Sequence, residues 1–218
     1  MSAKAPRIQT RWWLIAWTIF FPMSKLNRLQ VSGREHLPAT GGLLIVANHV
    51  SQKDPPFVGL AAMPRRVYYM AKEELFRIPL VGSFIRKQGA FPVRRGGADR
   101  DAIRMARELL GRGDTLLMFP EGTRSRDGRM LPAMPGAGAL ALEPGIAAVP
   151  AAIWGTQRLF GPSRVVFGPP LDLSDLAEGP RSARAQAAAD RLMAAIADLL
   201  PAAGGPAGAG PLREAAGD

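Results

Sequence analysis

The 218-residue chain contains no cysteine and only two histidines, His36 and His49. The absence of cysteine excludes a disulfide framework, cysteine-ligated zinc or iron–sulfur sites, and an acyl-cysteine intermediate. Two histidines are also too few for a metal site built from several imidazoles. Catalysis or binding by this chain would therefore depend on carboxylates, hydroxyls, guanidinium groups and these two histidines.

Acidic residues are scarce as well: 18 aspartates and glutamates face 28 lysines and arginines, for a formal net charge of +10. Such a surplus predicts an anionic partner, which is nucleic acid, a membrane surface or a phosphorylated ligand. Residues 1–30 carry five bases and no acid, residues 31–170 carry 19 bases and 11 acids, and residues 171–218 carry four bases and seven acids. The positive field therefore belongs to the N-terminal segment and the main domain.

The apolar run Trp12–Phe21 is short: it holds ten residues, with Thr18 as its polar member, and Pro22 interrupts it. Ten helical residues cover about 15 Å, against about 30 Å for the hydrocarbon core of a bilayer. Tryptophans beside bases are typical of the membrane interface. We therefore predict that residues 1–27 form an interfacial helical segment on an anionic membrane surface, with docking on the domain's own core as the alternative.

Short apolar runs alternate with helical patterns through the main domain, which we predict to span residues 28–201. This alternation is typical of an α/β fold with a largely parallel central sheet flanked by helices. The tail, residues 202–218, is rich in alanine, glycine and proline, and we predict that it is disordered. The predicted strands are 41–47, 67–70, 90–93, 114–119, 146–153 and 165–167, and the predicted helices are 78–86, 99–110, 136–142 and 181–200, the last stopped by Pro201.

A histidine and an aspartate follow the first of these strands, in the stretch Asn48–Asp54. Ligand-binding groups of open α/β sheets gather at the carboxyl ends of strands. If the loop folds back, the Asp54 carboxylate can hold one ring nitrogen of His49 and leave the other free as a base. The chain has no G-x-S-x-G elbow, so this base would act on a substrate hydroxyl or on water.

A second predicted strand ends in the sequence FPEGTRS, residues 119–125. Glycine permits a close backbone approach, Thr123 and Ser125 can donate hydroxyl hydrogen bonds, and Arg124 can bind an anion. The G-K-[ST] sequence of a P-loop is missing. Arg94, which follows another predicted strand, is a further candidate anion ligand, and an ordinary surface turn is the alternative for both arginines.

These pieces, in this order, resemble the glycerolipid acyltransferase family, the 1-acyl-sn-glycerol-3-phosphate (lysophosphatidate) acyltransferases and their relatives. The family's first block, Asn-His followed by four residues and Asp, matches Asn48–Asp54, and its third block is complete at residues 119–125. Its second block matches Phe91–Arg94, and its fourth, a short apolar-Pro-apolar strand, matches Val149–Ala151. The resemblance covers residues 28–170.

The resemblance implies an O-acyltransferase that moves a fatty acyl group from acyl-CoA or acyl carrier protein to the free hydroxyl of a lysophospholipid, foremost 1-acylglycerol 3-phosphate. His49 would be the general base, oriented by Asp54, and no acyl-enzyme would form. Arg94 and Arg124 would hold the acceptor's phosphate, in a pocket also shaped by Glu121, Gly122, Thr123 and Ser125.

The same resemblance implies no metal and no bound cofactor, and we expect no nucleic-acid partner. It also implies a membrane-associated enzyme on the cytoplasmic face of the cell membrane, because acyl thioesters are cytosolic.

One departure from the family pattern concerns the acceptor. The family often carries Lys in a Phe-Lys-x-Gly-Ala stretch after the third block, and Met134 stands at that position here. The missing cation keeps glycerol 3-phosphate and an amino-lipid open as acceptors. A non-catalytic module that binds anionic lipid or nucleic acid is a further alternative, although few base-stacking aromatics and the clustering of bases at strand ends argue against nucleic acid.

Overall fold

A computed structural model describes residues 5–94, 99–125 and 127–207, with the main chain alone at Trp12 and Trp17. Seven strands form one sheet. They are β1 (Gln30–Ser32), β2 (Gly42–Ala47), β3 (Val67–Lys72), β4 (Ala90–Val93), β5 (Thr115–Met118), β6 (Ile146–Trp154) and β7 (Arg164–Phe167). The helices are α1 (Thr10–Leu26), α2 (Asp54–Ala61), α3 (Val81–Lys87), α4 (Arg100–Gly111), α5 (Gly136–Ala141) and α6 (Arg181–Ala203).

The strand order across the sheet is β1-β7-β6-β2-β5-β3-β4. Only the β6–β7 pair is antiparallel in this sheet of described residues, so the predicted α/β fold with a largely parallel central sheet is confirmed. Strands β2 to β6 point the same way, and we call the side of the sheet at which they end the carboxyl edge. Loops at such an edge hold the ligand groups of open α/β sheets.

Strand β2 lies at the centre of the sheet, and each of its six residues is buried. Successive side chains point to opposite faces. Leu44 and Val46 enter the core beneath α4, α5 and α6, whereas Leu43 and Ile45 enter the core that contains Phe57 of α2. A continuous apolar strand of this kind requires cover on both faces, which the helices provide.

Two helices pass through prolines at which the sequence predicts a break. Helix α1 continues through Pro22 to Leu26, and α6 continues past Pro201 to Ala203. Leu200 and Ala203 are buried in the core, which holds the last turn of α6 in place despite the proline. The predicted stop at Pro201 is therefore wrong by half a turn or more, and the helix ends where Gly204 takes a φ of 85°.

The structure describes only the first part of residues 202–218, the tail that we predict to be disordered. Ala202 and Ala203 belong to α6, and the Gly205 N–H donates to the Leu200 carbonyl at 2.9 Å. Residues 208–218 lie outside the described part of the chain.

Helix α1 packs on the domain and also presents a surface to solvent. It contacts α2 and α3, and Trp13, Ala16 and Phe20 line a groove beside Leu60 and Tyr69. None of the helices in the described ranges is long and apolar enough to cross a membrane.

Candidate active site

The two sequence motifs meet at the carboxyl edge. Strand β2 pairs in parallel with β5, with Val46 opposite Met118. The loops that follow these strands, residues 48–53 and 119–125, therefore start side by side. Parallel pairing of two short strands thus joins motifs that are far apart in the sequence.

Asp54 is the first residue of α2 and is fully buried. Its Oδ2 accepts hydrogen bonds from His49 Nδ1 at 2.8 Å and from the backbone N–H groups of Val50 and Ser51 at 2.7 Å each. The loop therefore folds back onto Asp54 in the way that the sequence analysis describes. Two prolines in the first turn of α2 do not obstruct this arrangement, because the first N–H groups of a helix have no intrahelical acceptor.

His49 is held on two sides. Asp54 binds Nδ1, and the imidazole stacks on the Phe119 ring with 4.0 Å between centroids and 17° between planes. The His49 side chain keeps 12% of its surface exposed. A carboxylate at Nδ1 places the proton on that nitrogen, so the Nε2 lone pair is the one available to a substrate.

Thr156 completes the surroundings of Asp54. It is fully buried in the loop after β6, and its hydroxyl donates to Asp54 Oδ1 at 2.5 Å. This residue was not predicted, because a threonine 102 positions from Asp54 carries no local signal in the sequence. Both oxygens of the buried carboxylate are therefore satisfied, one by Thr156 and one by the His49 loop.

Asn48 attaches the same loop to β6. Its side-chain amide donates to the Ile153 carbonyl at 3.0 Å and accepts from the Ile153 N–H at 2.8 Å. This pair of bonds imitates one step of a strand ladder beyond the end of β2. It fixes the point at which the chain leaves the sheet, directly before His49.

Glu121 joins the two motif loops. Its Oε1 accepts from the His49 N–H at 2.8 Å and its Oε2 from the Leu131 N–H at 3.0 Å, and the Ser125 N–H donates to the His49 carbonyl at 2.8 Å. Burial raises the pKa of Glu121 to about 7, although these two N–H donors lower it. Both carboxylate oxygens are thus engaged by the main chain, and contact of Glu121 with a substrate stays a prediction.

The other residues of the 119–125 loop face outward to different degrees. Gly122 has a φ of 66°, a conformation that favours glycine, and a Cβ there would displace only the flexible side chain of Met134, whose sulfur would lie 2.8 Å away. Thr123 and Arg124 are exposed, whereas Ser125 is buried and donates to Asp127 at 3.1 Å. Among the described residues Arg124 has no hydrogen-bond or ion-pair partner, which leaves its guanidinium available to an anion.

Arg94 lies at the same edge of the sheet but not in contact with His49. It follows β4, which is separated from β2 by β3 and β5, and strands spaced about 4.8 Å apart put it about 14 Å away along the edge. Its side chain is 69% exposed and lies 3.7 Å from Asp99. A phosphate shared by Arg94 and Arg124 stays a prediction.

The described ranges contain no group of three or more histidine, cysteine, aspartate or glutamate side chains placed to hold a metal ion.

Comparison with known proteins agrees with this architecture. The Acyltransferase family model matches residues 28–154, and the chain belongs to that family of acyltransferases. The match spans both motif loops and the strands β1 to β6 that position them.

Individual relatives show which members of the family the chain is similar to. The chain is 34% identical to a 1-acyl-sn-glycerol-3-phosphate acyltransferase of Bacillus subtilis, over 81% of this chain and 90% of that protein. It is 39% identical to a lyso-ornithine lipid O-acyltransferase of Pseudomonas aeruginosa, over 66% of this chain and 52% of that protein. The crystal structure of the PlsC acyltransferase of Thermotoga maritima superposes with a TM-score of 0.60 at 26% identity, covering 83% of this chain and 79% of that one.

The raised pKa of Glu121 predicts a pH-dependent contribution to stability. A pKa of about 7 in the folded protein, against an ordinary value of 4.5, means that folding takes up a proton between these values. The stability that Glu121 contributes is fully present below about pH 4.5 and is lost as the pH rises through about 7. Urea denaturation from pH 5 to 8 should therefore show the free energy of unfolding of wild type falling relative to Glu121→Gln, which does not titrate.

The control for this measurement is Glu178→Gln, at an exposed glutamate. Its stability should follow that of wild type across the same range. Parallel curves for wild type and Glu121→Gln would contradict the assignment of a raised pKa to this carboxyl group.

Proposed function

We propose that this acyltransferase moves a fatty acyl group from an acyl thioester to the free hydroxyl of a lysophospholipid, with His49 as general base. The observation that carries the proposal is the imidazole whose Nδ1 is bound to buried Asp54 and whose Nε2 lone pair receives no hydrogen bond from any described residue. The names of the Bacillus subtilis and Pseudomonas aeruginosa relatives, which both act on lysolipids, support it.

The proposed step is a direct transfer. His49 Nε2 takes the proton of the acceptor hydroxyl while the hydroxyl oxygen attacks the thioester carbonyl carbon. The tetrahedral intermediate then expels the thiolate, which takes the proton from His49, so the products are an acylated lipid and free coenzyme A or acyl carrier protein. No acyl-enzyme, metal or bound cofactor takes part in this scheme. Asp54 holds the ring in position and stabilises the imidazolium that forms.

The acceptor that we propose is 1-acylglycerol 3-phosphate. Arg124 is exposed without a partner in the described structure and follows β5, next to the His49 loop, so its guanidinium can bind a phosphate there. Arg94 would reach the same phosphate from the far side. The relative that acts on lyso-ornithine lipid, together with Met134 in place of a lysine, makes an amino-lipid the second candidate acceptor.

Replacement of the proposed base gives the direct test. Purified His49→Ala should lose turnover with acyl-CoA and lysophosphatidate by about a hundredfold to ten-thousandfold, the usual contribution of a general base. The measurement is initial-rate formation of the diacyl product. His36→Ala serves as the matched control, because the other histidine bonds the Phe167 carbonyl at 2.9 Å, away from the motif loops.

Normal turnover by His49→Ala would overturn the mechanism. The same assay with lysophosphatidate, glycerol 3-phosphate and a lyso-amino-lipid at equal acyl-CoA identifies the acceptor. A higher kcat/KM for the amino-lipid would replace the proposed acceptor and leave the role of His49 intact.

Thr156 is proposed as a positioning residue that acts through Asp54. Without its hydroxyl, Asp54 Oδ1 becomes a buried acceptor with no donor, which costs about 1–3 kcal/mol and lets the carboxylate turn away from His49. We expect Thr156→Val to lower kcat by about tenfold or more with little change in KM, whereas Thr156→Ser keeps the hydroxyl and restores kcat.

The measurement is steady-state kinetics together with thermal denaturation of each variant. A fall in kcat that persists in Thr156→Ser, or one that only follows a loss of folded protein, would contradict the positioning role.

Helix α1 is proposed to lie on the membrane surface. Its exposed side carries Leu14, Ile15, Ile19, Phe21 and Leu26, whose exposed fractions are between 42% and 58%. The first 30 residues contain bases and no acid, which favours anionic lipid. Acyl thioesters are cytosolic substrates, so we assign this contact to the cytoplasmic face.

Serine substitutions on the exposed side of α1 test this contact in the full chain. Leu14→Ser with Ile19→Ser should lower the partition constant onto phosphatidylglycerol vesicles, measured by co-sedimentation, by about thirtyfold or more, because the two apolar side chains together contribute more than about 2 kcal/mol. Ala183→Ser with Ala187→Ser, at exposed positions of α6, should sediment like wild type. Equal sedimentation of all three proteins would remove α1 from the membrane contact.

A further inference from the structure

The exposed large hydrophobic side chains on the described surface are concentrated in a few segments. Apart from α1 and Met134, they are Leu75, Ile78, Leu80, Val81, Leu159 and Phe160. Soluble surfaces usually scatter such side chains, and their concentration marks an interaction site. These six residues belong to two connections, one after β3 and one after β6.

The sheet topology places the two connections on opposite sides of the candidate active site. Along the carboxyl edge the order is β6, β2, β5, β3. The loop after β6 therefore flanks the His49 loop, and the connection after β3 flanks the 119–125 loop. Met134, 48% exposed, bonds the Pro120 carbonyl at 2.9 Å between these two flanks. The apolar side chains thus border the site from both directions.

Neither the backbone conformation nor the solvent exposure at position 80 favours a leucine. Its φ of 66° and ψ of −51°, with the Val81 N–H donating to the Pro79 carbonyl at 2.7 Å, make it the centre of a γ-turn, a strained conformation that non-glycine residues rarely adopt, and 85% of its surface is exposed. Glycine would adopt this backbone with less strain, and a polar residue would suit water better. A leucine at such a position is explained when its side chain enters an apolar environment outside the protein.

The loop after β6 is attached to both α1 and the catalytic loop. Lys53, which precedes Asp54, donates through Nζ to the carbonyls of Arg158 and Leu159 and to Asn27 Oδ1 at 2.8 Å. The Ser163 N–H donates to the Asn27 carbonyl at 2.9 Å. Because Asn27 is the C-cap of α1, the exposed side chains of Leu159 and Phe160 are held beside the end of α1.

The cations beside these apolar side chains indicate an anionic partner. Arg158 is exposed next to Leu159 and Phe160. Lys25 in the last turn of α1 and Arg28 just after the helix are also exposed, and residues 1–30 contain no acid. Cations beside inserted leucine and phenylalanine side chains are suited to an anionic lipid surface, in which the headgroups bind the cations and the acyl chains receive the apolar groups.

We propose that the carboxyl edge docks on an anionic phospholipid surface, with residues 78–81 and 158–160 inserted on either side of the active site. The inference rests on the proposed function, since it lets a lysophospholipid present its hydroxyl to His49 without leaving the leaflet. The proposed membrane contact then surrounds the active site and is not confined to α1.

Single-cysteine labelling tests the proposal, because the chain has no native cysteine. An environment-sensitive fluorophore is attached to Leu80→Cys, Leu159→Cys, Leu14→Cys or Ala187→Cys, the last an exposed control on α6. With phosphatidylglycerol vesicles that carry nitroxide lipid, we expect blue-shifted emission and strong quenching at positions 80, 159 and 14, and neither at 187. Quenching at 14 without quenching at 80 and 159 overturns this proposal and leaves the α1 contact standing.

Activity separates this proposal from the proposed function. Leu80→Gly adopts the γ-turn with less strain and removes the apolar side chain, and Leu159→Ser with Phe160→Ser removes the apolar side chains of the other flank. We expect the triple variant to lose about tenfold in kcat/KM on vesicle-bound lysophosphatidate and to match wild type on a monomeric short-chain acceptor. Equal loss on both acceptors overturns the docking role, and inactive wild type on both overturns the proposed function instead.

Discussion

The buried carboxylate of Asp54 is the group on which the rest of the site depends. A fully buried charge is tolerated only when hydrogen bonds or ions satisfy it. Here His49, two backbone N–H groups and Thr156 supply those bonds from two stretches of chain, residues 49–51 and the loop after β6. The carboxylate therefore gathers the loop after β2, the start of α2 and the loop after β6 into one arrangement, and the orientation of His49 follows from it.

The hydrogen bonds around Asp54 also connect the active site to the protein surface. The loop that carries Thr156 also carries Leu159 and Phe160, and Lys53, the residue before Asp54, donates to the Arg158 and Leu159 carbonyls of that loop. The loop that we propose to contact lipid is thus connected by hydrogen bonds to the carboxylate that orients the proposed base. Glu121 provides a corresponding link on the other side, since it binds the His49 N–H from the loop after β5.

Much of the fold was predictable because parallel strands that are covered on both faces are continuously apolar. Strand β2 and its partners are recognisable from that pattern, and α4 from its helical spacing. Strand β1 and α2 were not predicted, the first because it has three residues, the second because two prolines open it. The end of α6 was predicted too early because of Pro201; burial of Leu200 and Ala203 outweighs the hydrogen bond that the proline removes.

The family, the pairing of His49 with Asp54 and the 119–125 loop can be read from the sequence alone, because they are local patterns of residue type and spacing. The folded chain was needed to show that Thr156 supports Asp54, that Glu121 holds the main chain of His49, and that apolar connections border the site. Each of these depends on the strand order of the sheet. That order brings together residues separated by dozens of positions, and no local pattern records it.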